Sequence, residues 1–103
     1  MSKFTPEELQ LINECVLCEV DEQESMLADF LEEGNNSSAA VCVTEIIMLS
    51  SAIESLKRGE GITDIQQNSL VELVISWLIY YVINPVEDVN NPTLATALEK
   101  LIG

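Results

Sequence analysis

Two cysteines three residues apart, Cys15-Val-Leu-Cys18, are the first residues in this chain whose spacing suits chemistry. A redox C-x-x-C needs a thiolate stabilised by a helix N-terminus or by cations. Here Glu14 and Glu19 flank the pair, which is the opposite electrostatics. A structural zinc site takes four ligands, and the chain has three cysteines and no histidine. Both sulfurs fall on adjacent positions of one helix face. The pair therefore reads as small, partly buried apolar residues, and Cys42 as a core residue.

Carboxylates offer a second chemistry. Glu19-x-x-Glu22 and Asp29-x-x-Glu32 each place two acids one helical turn apart. Bundles that hold catalytic metals, including metal-dependent nucleotide hydrolases, use such pairs on different helices that converge inward. These four lie on one predicted helix and point mostly outward. With 18 acids in 103 residues, the spacing also arises by chance. Asp88-x-Asn90 begins like a calcium loop but lacks the glycine and the later ligands. The missing histidine removes the usual general base, and there is no phosphate-binding glycine loop. No enzymatic activity, metal or cofactor is expected.

The acids are more informative as a surface. Residues 1–33 carry ten carboxylates against one lysine, Lys3, within a chain of net charge −14. On a helical projection Glu7, Glu14, Asp21, Ser25, Asp29 and Glu32 form a ridge opposite an apolar face. Glu8, Glu19, Glu22, Glu24 and Glu33 flank it. Like charges three and four apart each cost a helix a few tenths of a kcal/mol, and almost no lysine relieves them. One reading is a docking surface for lysines and arginines, with contacts at Glu7, Glu14, Asp21, Glu22, Asp29 and Glu32. Its sharper form is nucleic-acid mimicry, as in phage-type inhibitors of host defence. Ten acids on such a helix give about one charge per 4 Å, against ~1.7 Å for duplex DNA. One copy is a thin mimic; a dimer with two parallel ridges comes closer. The other reading is a solvated face that keeps an apolar protein dissolved.

The elements that position these residues are legible from caps and periodicity. Thr5-Pro6-Glu7-Glu8 combines an N-cap, a proline at the first helical position and a capping box. Leu9, Ile12, Val16, Val20, Leu27, Phe30 and Leu31 then share about a third of the helical wheel. This predicts one helix over 6–33, with a kink near 20–22 as the alternative because Asp21 and Glu24 could form a second cap. Gly34-Asn35-Asn36-Ser37 closes it. Ser37 or Ser38 caps a second helix over 39–58, with Val43, Ile46, Ile47, Ser50, Ile53 and Lys57 inward and Gly59 at its end. Thr63-Asp64-Ile65-Gln66 is a further capping box and opens a third helix over 64–83. Residues 84–91 read as a loop. A short helix follows over 92–102, with Leu94, Leu98, Leu101 and Ile102 inward.

The third helix ends in LVELVISWLIYYVI, apolar on nearly all sides. Such a helix lies at the centre of a bundle or in an interface between copies. Trp77, Leu78 and Tyr81 are the candidate homodimer contacts, with core packing as the alternative.

Apolar residues make up 48% of the chain, with mean hydropathy +0.23. The expectation is a single all-α domain over 1–103, a small four-helix bundle with three long helices and one short one, in dimeric form. The charge disfavours direct nucleic-acid and membrane-surface binding. The longest apolar run, 70–83, is shorter than the ~17–25 residues of a membrane span. No secretory leader is visible at the start, and the odd cysteine count reads as reduced thiols in cytoplasm. The expected function is non-enzymatic: an inhibitor or adaptor that docks a basic surface of another protein. The alternative is a self-assembling structural protein that uses its third helix.

Overall fold

The computed structural model describes residues 3–83 and 91–103. Four helices account for most of them: α1 (Pro6–Glu33), α2 (Asn36–Lys57), α3 (Asp64–Ile83) and α4 (Asn91–Ile102). The predicted all-α architecture of three long helices and one short one is what the chain adopts. The expected loop at 84–91, with Asp88 and Asn90, lies outside the described residues apart from Asn91, which opens α4. The side chain of Tyr81 also lies outside them.

Local hydrogen bonds explain the boundaries. The Thr5 hydroxyl accepts from the Glu8 amide at 3.2 Å, and the Glu8 carboxylate accepts from the Thr5 amide at 2.7 Å. Thr63 and Gln66 repeat this box at the start of α3, at 3.2 and 2.9 Å. α1 continues without a break past Asp21, because its apolar face keeps one phase. It ends where Gly34 turns left-handed (φ 75°) and the Asn35 amide donates back to the Phe30 carbonyl at 2.8 Å. Asn35 also caps α2, its side-chain oxygen accepting from the Ser38 amide at 3.2 Å. The cap of α2 is therefore Asn35, not Ser37 or Ser38, and α2 starts three residues earlier than predicted. Gly59 (φ 73°) closes α2 in the same left-handed way.

The helices alternate in direction. Gln66 meets Ser51 and Ser69 meets Met48, which fixes α2 and α3 antiparallel. α1 and α3 each touch all three other helices, whereas α2 and α4 do not meet among the described residues. Ile12 and Val16 of α1, Leu49 and Ile53 of α2, Leu70 and Val74 of α3, and Leu94 and Leu101 of α4 form the core. α3 is not enclosed: Ile75, Ile79 and Tyr80 are exposed. One side of it packs and the other is open.

α2 turns a different face inward from the one predicted. Ala39, Cys42, Leu49, Ala52, Ile53 and Leu56 are buried, whereas Val43, Ile47 and Ser50 are exposed. Apolar and polar residues are interspersed around α2, with Val43 and Ile47 as apolar as Leu49 and Ile53, so its sequence does not fix the phase. The buried face combines small residues, Ala39, Cys42 and Ala52, with the larger Leu49, Ile53 and Leu56. Leu31 of α1 and Ile102 of α4, both expected inside, are exposed as well. In α4 the adjacent Leu101 is buried and Lys100 reaches α1, so Ile102 falls on the side of the helix turned away from the core. By length and composition α2 is also apolar enough to cross a membrane, and a third of that stretch is buried here.

The molecule is long for its size. α1 alone spans about 42 Å, the longest dimension of the structure at 42 Å. The radius of gyration is 14.6 Å, against about 13 Å for a compact domain of this length. Beyond Val16, α1 has no fully buried residue. Its distal half and the start of α2 form a two-helix arm over a thin core of Ala39 and Cys42.

One acid leaves the surface altogether. Glu8, expected to flank the ridge, is 2% exposed and accepts from Lys100 Nζ at 2.6 Å. The capping box turns its carboxylate inward, and Lys100 in the last turn of α4 reaches it. Burial alone would raise its pKa. The hydrogen bonds from Lys100 and Thr5 outweigh burial and hold the carboxyl below its ordinary 4.5. A carboxyl with a lowered folded pKa stabilises above its unfolded value and loses that contribution as pH falls through the folded one. Replacing Lys100 by methionine should cost about 1–2 kcal/mol at neutral pH, since the ammonium is partly solvated. The cost should shrink in urea titrations below pH 4.5. An equal loss at both pH values would disprove this role.

Candidate functional site

α1 presents its outer side along the length of the molecule. Glu7, Glu14, Asp21, Asp29 and Glu32 are exposed on α1, as is Glu22, which turns toward α2 and α3. Among the described residues none of the six takes part in an ion pair. The chain's four bases are elsewhere, gathered at the base of the bundle. Lys57 pairs with Glu54 at 3.5 Å, Arg58 with Glu60, and Lys100 with Glu8. Lys3 Nζ stands 5.6 Å from the Phe4 ring centre. Lys3, Leu56, Gly59 and Leu101 line one depression, so all four bases or their chain neighbours meet at that end. Seven acids of α1 lie beyond Val16, on the arm, and among the described residues none of them pairs with a cation.

Between α1, α2 and α3 this acidic surface folds into a cleft of about 620 Å³. Cys18, Glu19 and Glu22 come from α1 and Glu45 from α2. Ser69, Glu72, Leu73, Ser76, Trp77 and Tyr80 come from α3. Leu73 is buried at the floor, Trp77 is half-buried, and Tyr80 is 57% exposed. The Gln23 side chain donates to Glu19 at 3.0 Å, steadying it against its own helix. The Ser76 hydroxyl donates to the Glu72 carbonyl at 2.9 Å, so its polar atom is spent on the backbone.

Glu45 records the cost of this arrangement. Its pKa is raised, first by burial and then by the charges of Glu19 and Glu72. Three helices thus bring repelling carboxylates to one concavity. Among the described residues no three cysteine or acidic side chains converge on a metal position. The acids are spread along aromatic and apolar walls instead, a geometry that suits an extended organic cation.

The thiols divide. Cys15 is buried, and burial, then Cys18 and Glu14, push its pKa up to about 12. Cys42 is buried as expected. Cys18 is exposed on the rim of the cleft, contrary to the expectation of a shielded pair. A step of three residues rotates a side chain by about 60° from its partner, enough at this edge to leave the core.

The predicted dimer contacts also separate. Trp77 lines the acidic cleft. Leu78 lines an apolar depression of about 250 Å³ with Ile75, Ile79 and Leu98. The sequence reading placed Glu19 and Glu22 on an outward face and missed Glu45 and Glu72. A signal was present: Ser69, Glu72, Ser76 and Tyr80 make a polar stripe at helical spacing along an otherwise apolar α3. No protein-family model, curated protein or solved structure matches this chain.

A carboxyl with a raised folded pKa destabilises once ionised, so its cost is absent below 4.5 and grows as pH rises through the folded value. Glu45→Gln should therefore raise the melting temperature by a few degrees at pH 7. The gain should vanish at pH 3.5. A variant less stable than wild type at pH 7 would show that Glu45 is held by attraction instead.

Proposed function

We propose that this chain is a non-enzymatic acidic binding module that docks a basic surface of a partner protein, as an inhibitor or adaptor. One observation carries the reading. Among the described residues six exposed acids of α1 take part in no ion pair, while the lysines and arginine lie at the other end. Mutual repulsion along the arm costs stability, and a basic partner is the chemistry that relieves it. Electrostatic steering would speed encounter, and the exposed apolar residues beside the ridge would lengthen residence. Leu17 and Met26 stand on the same helix for that role. Nucleic-acid mimicry is the sharper form of this proposal, with Glu45 and Glu72 widening the negative surface beyond a single line. The reduced thiols fit a cytoplasmic setting.

A second reading has its own support. The apolar depression of Ile75, Leu78, Ile79 and Leu98 is a surface suited to self-association. A homodimer built there would use Leu78 and would also carry two ridges.

The test is capture of partner proteins from a lysate by tagged protein at low and at high salt. Beside wild type runs the triple variant Glu14→Lys, Asp21→Lys, Asp29→Lys, its fold checked by circular dichroism. Docking predicts that capture of a basic protein falls at least tenfold with salt and in the variant. Capture unchanged in the folded variant overturns the ridge. Recovery of the chain alone, lost on Leu78→Asp, supports the assembly reading.

A further inference from the structure

The cleft asks for a more specific occupant than a basic surface in general. We propose that it seats an arginine side chain of the partner, its guanidinium against Glu45 and Glu72 and its plane along Trp77 and Tyr80. The inference rests on the docking reading above and names the anchor within it.

Charge complementarity sets the sign of the occupant. Glu19, Glu22, Glu45 and Glu72 line the cleft, and no lysine or arginine does. The walls then choose among cations. Trp77 and Tyr80 bring aromatic surface and Leu73 an apolar floor. An ammonium is a compact, strongly hydrated charge and loses its shell at such walls. A guanidinium is planar, more weakly hydrated, stacks on aromatic faces and offers five donors in a fixed fork. Carboxylates approaching from α2 and from α3 suit that fork better than a point charge. The cleft, about 620 Å³ and open to solvent on one side, is large enough to admit a guanidinium and its stem. It leaves room for the flanking chain of a peptide segment. The raised pKa of Glu45 agrees: a cation between Glu45 and Glu72 would remove the repulsion that burial now magnifies.

The chain supplies its own reporter, because Trp77 is its only tryptophan. Blocked tetra-arginine and tetra-lysine peptides, equal in charge, are titrated against the full chain at low salt, followed by Trp77 emission and by calorimetry. Spermidine runs as a third probe. The expected result is a saturable emission change with tetra-arginine and binding about tenfold weaker for tetra-lysine. In Glu45→Gln/Glu72→Gln the arginine preference should disappear. That variant relieves repulsion, so it folds, and its helical signal confirms this. The ridge variant Glu14→Lys, Asp21→Lys, Asp29→Lys should bind both peptides more weakly yet keep the preference.

Equal binding of both peptides, with no effect of the cleft variant, overturns the arginine site and leaves the ridge reading standing. Spermidine that binds as tightly as tetra-arginine also overturns it, assigning the cleft to small amines. No binding of any probe in calorimetry removes the docking reading together with the anchor.

Discussion

Eighteen acids and four bases must be placed on one small fold, and most of the structure follows from how that imbalance is resolved. Burying acids requires a cation for each, and cations are scarce. The bundle spends one lysine on one buried carboxylate, Glu8, where the bond also ties α4 to the start of α1. Its other bases stay near that same end. The remaining acids are held outside, on a helix too long for its neighbours to cover. An elongated shape with a polarised charge distribution is the result. Its base is close to balanced locally, and its arm is strongly negative.

The same constraint shapes the cleft. A rounder bundle would have closed α1, α2 and α3 over one another and forced Glu19, Glu45 and Glu72 into a dry interior. Leaving the three helices apart keeps these carboxylates in contact with solvent and exposes part of Trp77 and Tyr80. Repulsion that persists in a folded protein is informative, because altering a single residue would remove it. Glu45 is the only acid of α2 before Glu54, and it stands half-buried beside Glu19 and Glu72.

How much of this the sequence carried differs from helix to helix. The ends of α1 and α3 were legible because capping boxes are local: Thr5 with Glu8, and Thr63 with Gln66, meet within one turn. The face of α1 was legible because apolar and charged residues segregate along it. The face of α2 was not, since Val43 and Ile47 are as apolar as Leu49 and Ile53, and only the facing helix chooses among them. The ridge could be read from one segment. The cleft could not, because its carboxylates come from positions 19, 22, 45 and 72, brought together by packing alone. Glu8 was concealed differently. Its capping role was visible, but its pairing with Lys100 spans nearly the whole chain.

The arm formed by distal α1 and the start of α2 is pinned at its tip and buries few side chains completely along its seam. Gly34 and Asn35 pin the turn with backbone and side-chain bonds, so the two helices cannot slide in register. Beneath them the fully buried residues are Ala39 and Cys42, outside the main core, with Leu27 and Phe30 half-buried beside them. Regions with few buried apolar contacts open first in the native state. By that rule amides of the arm should exchange with solvent sooner than those around the fully buried Leu49 and Leu70. A partner that clamps it would be felt as slowed exchange far from any atom it touches.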